Sequence, residues 1–221
     1  MWNKGWDDIF RHNEWGKYAP LELVRFVARN FYDVPNRTAV RFLEIGCGPG
    51  ANLLYLAQEG FAGFGIDGSQ IALDRARQRL NAAGLDADLR QGDVGHLPYS
   101  KESFDCVIDI ECLYANSLAD SRRIIDQVHR VLRPGGLFFS ITYMTGMPGE
   151  ETGRRLEGEP NTFLEMPDGP LRDGYGIIRL TSEDEIGDVF GRFPGIEYDY
   201  VIRSDRNRQT LVKEWLITCR K

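Results

Sequence analysis

Cysteine is scarce in this chain: Cys47, Cys106, Cys112 and Cys219 are the four present, and no two form a CxxC pair. A disulfide scaffold or a zinc knuckle needs denser or closer spacing, so these are expected to be reduced thiols in a cytoplasmic protein. Histidine is scarcer still, with only His12, His96 and His129. No metal-ligand spacing is visible, so no metal is expected. No stretch approaches the ~18 apolar residues that a membrane span needs, and Met1 to Asp8 lack the apolar core of a signal peptide. Positive charge is in deficit, with 27 Lys and Arg against 33 Asp and Glu, a net charge of −6. Binding to nucleic-acid phosphates requires a basic footprint, so neither a nucleic acid nor a membrane is an expected partner. A local cluster such as Arg75, Arg77 and Arg79 reads as a solvated helix face. The remainder, 42% apolar and 27% charged over 221 residues, is the composition of one globular domain with a sizeable core.

What the chain does have is a glycine loop. Val40 to Ala57 reads as a buried strand, a glycine turn and the first turns of a helix. Glycines permit positive φ and bring bare N–H groups close to a ligand. The helix N-terminus behind them adds a partial positive field that favours a nucleotide-like group. Two motifs overlap here. Gly46-x-Gly48-x-x-Ala51, with Asp67 about 20 residues on, fits the dinucleotide fingerprint. Glu44-x-Gly46-x-Gly48-x-Gly50 fits a second pattern, and the loop alone does not choose between them.

The rest of the chain alternates. Apolar side chains recur at helical spacing between Trp6 and Phe31, with Pro20 suited to a first helical turn. Asp33-Val34-Pro35-Asn36 ends that segment. Trp2, Trp6, Trp15 and Tyr18 line an acceptor pocket or fill a groove. Beyond the glycine loop, strands are expected at Phe61–Ile66, Ala87–Gln91, Phe104–Ile110 and Leu137–Tyr143. Helices are expected after the cap Ser69 and over Ala119–Leu132. Ser182-x-x-Glu185 is a capping box opening a further helix, with strand-like segments at Ile196–Arg203 and Leu211–Cys219. Such alternation builds a mostly parallel sheet with helices on both faces. Ligands on such sheets bind beyond the carboxyl ends of the strands. Glu44, Gly46, Asp67, Asp93, Glu111 and Tyr143 all fall at or just past those ends.

With Asp93 after the third strand, Phe104-Asp105-x-Val107 and His129 to Gly136 added to the Glu44–Gly50 motif, the chain from Phe42 to Tyr143 resembles the class I S-adenosylmethionine-dependent methyltransferases of small-molecule type. The resemblance implies an α/β, doubly wound, mostly parallel seven-stranded sheet whose last strand is inserted antiparallel. It implies S-adenosyl-L-methionine as cofactor and S-adenosyl-L-homocysteine as product. Gly46, Gly48 and Gly50 would pass under the amino-acid end of the cofactor, positioned by Glu44. Asp67 would take the ribose hydroxyls, and Asp93 with the Val94 N–H would hold adenine. Cys47, Asn52, Gly68, Gly92, Ile110 and Glu111 complete the expected cofactor set. Glu111, His12, Tyr114 and Tyr143 are the candidate catalytic residues, with no metal.

Thr145 to Ile178 hold seven of the 24 glycines and four of the ten prolines, which excludes one continuous helix or strand. So long a connection at the ligand edge is expected to be an acceptor-binding lid. The whole chain, 1–221, is expected to be one domain, with an N-terminal helical cap over 1–36 and the insertion over 145–178. The expected activity is O- or N-methylation of a small-molecule acceptor by a cytoplasmic monomer or homodimer. Two other readings stay open: a catalytically silent S-adenosylmethionine-binding scaffold or partner subunit, and a NAD-dependent oxidoreductase.

Overall fold

The computed structural model describes residues 3–14, 16–172 and 176–221. Trp2 and Trp15, singled out above, lie outside the described residues. In chain order the elements are α1 (Gly5–His12), α2 (Leu21–Phe31), β1 (Arg41–Ile45), α3 (Ala51–Gln58), β2 (Ala62–Asp67), α4 (Gln70–Ala82), β3 (Asp88–Gln91), β4 (Phe104–Ile110), α5 (Leu118–Val131), β5 (Leu132–Tyr143), β6 (Arg154–Leu156), β7 (Glu159–Glu165), β8 (Ile178–Arg179), α6 (Glu183–Phe190), β9 (Gly195–Asp205) and β10 (Thr210–Arg220). Among the described residues, no helix is long and apolar enough to cross a membrane.

Seven strands form the main sheet in the order β3-β2-β1-β4-β5-β10-β9. The first five in that order pair in parallel, while β10 runs antiparallel to both β5 and β9. The last strand of the chain is therefore inserted antiparallel, as expected. Strand alternation feeds two cores. Along β1, Phe42 faces the layer of α2, α3 and α4 with Leu23, Phe26, Leu53 and Leu73, whereas Leu43 and Ile45 face α5 and α6 with Ile124, Ile125 and Phe190. Phe26 stacks on Phe139 with centroids 4.3 Å apart. Burying an aromatic of that size is worth about 1.5–3 kcal/mol, which fixes which helix covers which face.

The expected boundaries shift in instructive ways. Ser69 caps α4 by accepting from the Ala72 N–H, and Ser182 with Glu185 forms the capping box of α6. Pro20 is the N-cap of α2 rather than its first turn. The segment from Trp6 to Phe31 holds the helix that follows Pro20, α2, and most of a second helix before it, α1. Strand β5 starts five residues before the expected Leu137, because Leu132 already pairs with Phe104 across a bulge.

The 145–178 segment is a small antiparallel sheet, β6-β7-β8. Its Phe163, Met166 and Ile178 pack with Met147, Leu180, Val212, Tyr114 and Tyr143 in a third apolar cluster. Two of its turns cross at glycines, where a Cβ on Gly149 would sit 2.1 Å from the Asp168 carbonyl oxygen and one on Gly169 1.8 Å from that of Pro148. Only residues without a side chain fit there.

Candidate functional site

A cavity of about 310 Å³ opens beyond the carboxyl ends of β1, β2 and β4. That is the lower end of the range for small-ligand sites. Its floor is the glycine loop. Gly46, Gly48 and Gly50 all take positive φ (64°, 48° and 75°), and a Cβ on Gly46 would meet Cys112 Sγ at 2.4 Å. The loop is tied down by Asp67 at the end of β2. One carboxylate oxygen accepts from the Gly48 N–H and the other from the Ser69 N–H, both at 2.8 Å. Burial raises the Asp67 pKa, and these two backbone bonds oppose the shift. Each oxygen keeps a second acceptor lone pair, and Asp67 is a residue of the cavity lining.

Glu44 closes β1 at 2% exposure. Its Oε1 accepts from Asn52 Nδ2 at 2.6 Å, while its Oε2 has no hydrogen-bond partner. Burial first, then the negative Asp67 and Asp109, push its carboxyl up to about 8 against the Asn52 bond. A buried carboxyl in that state is completed by a cationic donor. The ammonium of an amino-acid moiety fits it, and the N–H-rich loop beside it fits the carboxylate of the same moiety. Asp93 lines the cavity with Gly92 and Val94, its Oδ1 accepting from the Gly95 N–H at 2.8 Å. Cys47, Asn52, Gly68, Ile110 and Glu111 line it too.

After β4 the chain turns on Asp109. This buried carboxylate accepts from the Cys112 and Leu113 N–H groups at 2.9 and 3.0 Å and from the Ser140 hydroxyl. Burial pushes it up to about 6, against those bonds. The turn leaves Glu111 at φ 57°, uncommon for a residue with a Cβ. Its N–H donates to the Ile141 carbonyl at 2.9 Å, and Tyr143 donates its hydroxyl to Glu111 Oε2 at 2.7 Å.

Other candidates are placed differently. Tyr143 and Tyr114 are buried edge to face, centroids 4.9 Å apart, one layer behind the cavity. Neither is among its lining residues. His12 is exposed, its Nδ1 lying 2.9 Å from the Asp8 carbonyl, away from the cavity lining. His96 is exposed, and His129 packs against Phe193.

The roof is the N-terminal segment, through Asn3, Trp6, Phe10, Gly16, Tyr18 and Pro20. Trp6 stacks on Phe10 and meets Tyr114 edge-on. The segment is latched to α4, where the Ser69 hydroxyl donates to Asp7, Arg75 donates to the Asn13 and Arg11 carbonyls at 2.8 and 3.2 Å, and Arg79 donates to the Gly16 carbonyl at 3.2 Å. The expected solvated face is thus corrected for Arg75 and Arg79. Their guanidiniums satisfy carbonyls of a segment distant in sequence, while Arg77 pairs with Asp74 on the surface. No described residue of the 145–178 insertion lines the cavity. The insertion packs behind Tyr114 and Tyr143, and its Gly176 approaches the Asn3 side chain.

Asp109, Glu214, Arg75 and Arg79 went unnoticed in the sequence as site residues. Two of them left a signal: Asp109, like Asp105, interrupts the apolar run of a buried strand, and Glu214 shares one face of its strand with Val212 and Leu216. An acid on a buried face must have partners. The arginines left none, because their partners are backbone carbonyls.

A glycine-floored crevice at the first strand of a doubly wound sheet, with acids at the carboxyl ends of the first and second strands, has the geometry at which Rossmann-like sheets bind nucleotides. Residues 42–136 match the family described as "Methyltransferase domain". The chain is 37% identical over 100 residues to a fatty-acid O-methyltransferase of Mycolicibacterium smegmatis, covering 44% of this chain and 35% of that one. It is 32% identical over 125 residues to norajmaline N-methyltransferase of Rauvolfia serpentina, covering 55% and 41%. It spans less than half the length of the curated relatives it matches. In fold it is similar to a solved S-adenosylmethionine-dependent methyltransferase of Methanosarcina mazei, with TM-score 0.67, 22% identity, and 82% and 92% of the two chains covered. Over residues 42–136 the chain is thus similar to methyltransferase domains, and its fold is that of the Rossmann-like methyltransferases.

Proposed function

We propose that this protein moves the methyl group of S-adenosylmethionine to oxygen or nitrogen of a small molecule. The observation that carries the reading is Glu44, a residue of the cavity lining whose buried Oε2 has no hydrogen-bond partner among the described residues. In this reading Glu44 takes the ammonium of the cofactor and the Gly46–Gly50 loop its carboxylate. Asp67 takes the vicinal ribose hydroxyls on its free lone pairs, and Asp93 with the Val94 N–H takes adenine. The cofactor supplies an electrophilic methyl on sulfur. The protein then has to place the acceptor in line and exclude water, a proximity effect worth up to roughly 7–11 kcal/mol. Glu111 faces the acceptor, and Tyr143 acts through it by fixing its carboxyl. The N-terminal segment is the cap, and the insertion backs the acceptor wall. The names of the relatives support small-molecule acceptors on either atom. We place the protein in the cytoplasm, as a monomer or homodimer.

Calorimetry with S-adenosylmethionine, S-adenosylhomocysteine and NAD tests the reading. The two adenosyl ligands are expected to bind in the micromolar range and NAD far more weakly; tighter NAD binding would overturn it. Asp67→Ala should weaken the adenosyl ligands by about 1.5–3 kcal/mol, the scale of hydrogen bonds to a charged group. Release of labelled methyl onto a metabolite pool separates an enzyme from a silent scaffold.

A further inference from the structure

We propose that the acceptor is an amine, and that Glu111 with Glu214 behind it forms a two-carboxyl base that receives the amine's proton. The inference rests on the cofactor reading above and deepens it.

The cavity is one-signed. Its described lining residues include four carboxylates, Glu44, Asp67, Asp93 and Glu111, and no Lys, Arg or His. The cofactor accounts for the first three. Glu111 is left over, under a roof carrying Trp6, Phe10 and Tyr18. A carboxylate below aromatic rings is the chemistry that holds an ammonium group, by charge and by the ring faces. A carboxylate acceptor would bring another anion into a cavity with no cationic lining residue.

Glu111 is also built as more than a binding group. Its backbone is held at positive φ, a conformation that costs energy and persists only where its surroundings enforce it. Tyr143 donates to one of its oxygens. Glu214, 6% exposed, sits on β10 directly opposite Tyr143 in register. Through Tyr143, the hydrogen-bond partner of Glu111, this register brings Glu214 close behind the Glu111 carboxyl. Arg203 on β9 pairs with Glu214 from the outer side and is itself half-exposed. Glu214 therefore stands between Glu111 and the half-exposed Arg203. Asp109 on β4 and the neutral Tyr114 and Tyr143 complete the titratable surroundings.

Burial, then the Glu111 charge, push Glu214 up to about 7 against the pull of Arg203. A base of that strength lies about three pH units below an ordinary alkyl ammonium (about 10) but about nine below water or an alcohol (about 16), so it suits a nitrogen acceptor. In the reaction, the ammonium gives one proton to the Glu111–Glu214 pair. The nitrogen lone pair forms the N–CH3 bond as the C–S bond breaks, and those electrons stay on sulfur in the neutral thioether. The pair then releases its proton to solvent water.

The test follows S-adenosylhomocysteine formation by the full chain with three matched probes, 2-phenylethylamine, 2-phenylethanol and phenylacetate, and measures their binding to the chain loaded with S-adenosylhomocysteine. The amine is expected to bind best and to turn over at least about 100-fold faster than either other probe, the range of a positioned general base. Equal or faster turnover of the alcohol or the acid overturns the proposal, and so does the absence of saturable amine binding. The pH profile of kcat should rise through about 7. In Glu214→Gln it should fall at least tenfold at pH 8, with its midpoint moved down by more than one pH unit. A lower rate with an unmoved midpoint would make Glu214 merely structural and overturn its role. Glu111→Gln should lose about 100-fold in kcat with S-adenosylhomocysteine affinity within several-fold; full activity in that variant overturns the proposal. If S-adenosylhomocysteine itself does not bind the native chain, the cofactor reading fails, and this inference with it. If it binds while phenylacetate is the better acceptor, only this inference fails.

Discussion

A carboxyl group in an apolar interior stays charged only if something there repays its lost hydration. Glu44 shows the consequence. One oxygen has Asn52, the other has nothing, and the pKa rises to about 8. A folded pKa above the unfolded value means that stability is full below the unfolded pKa and is lost as pH rises through the folded one. The ligand-free protein should therefore lose stability between about pH 4.5 and 8 on account of this residue. Glu44→Gln keeps the shape without the charge. It is expected to match the parent near pH 5 and to exceed it at pH 9 by about 1–3 kcal/mol in urea unfolding, the cost of an unsatisfied buried group. The same variant should bind S-adenosylmethionine at least tenfold more weakly. Equal stability of the two proteins at pH 9 would contradict the assignment.

Among the elements, α1 has the least core of its own: eight residues, of which only Ile9 and Phe10 are buried. An isolated helix of that length is not stable in water. Its place over the cavity depends on contacts from α4, namely Arg75, Arg79 and the Ser69 hydroxyl. At about 0.5–1.5 kcal/mol per hydrogen bond, removing three of them shifts the opening of the cap by one or more factors of ten. The double variant Arg75→Ala with Arg79→Ala should release S-adenosylhomocysteine at least tenfold faster, read by stopped-flow Trp fluorescence. It should also be cleaved sooner near residues 13–20 by a nonspecific protease. Unchanged release in a folded double variant would mean that the cap is held by its apolar contacts alone.

Over the molecule as a whole, charge and cavity agree. A chain of net charge −6 with an acidic crevice repels polyanions at every approach, since backbone phosphates need a cationic footprint. Titration with tRNA or duplex DNA at moderate salt should show weak binding at most, with no steep salt dependence. Sub-micromolar affinity falling steeply with salt would refute the small-molecule acceptor.

Sequence by itself determined the sheet, the glycine loop and the acids at the strand ends. Those features are local: period-two and helical apolar patterns, caps such as Ser69 and Ser182, and glycines at positions where backbone geometry admits little else. Phe104–Ile110 was readable to the residue because seven apolar or partnered positions in a row leave one assignment. What only the tertiary structure decided depends on residues far apart in the chain. Arg75 and Arg79 look like surface charge until the carbonyls of residues 11–16 are folded onto them. Glu214 comes beside Tyr143, the hydrogen-bond partner of Glu111, only because β10 inserts beside β5, a pairing across about 70 residues that no short-range pattern encodes. The glycine and proline density of 145–178 excluded one long element but left open the small sheet that forms there, because antiparallel pairing is set by register between separate strands. That sheet turns Tyr114 and Tyr143 into a wall behind the cavity. Burial and charge pairing are properties of the assembled chain, which no local pattern records.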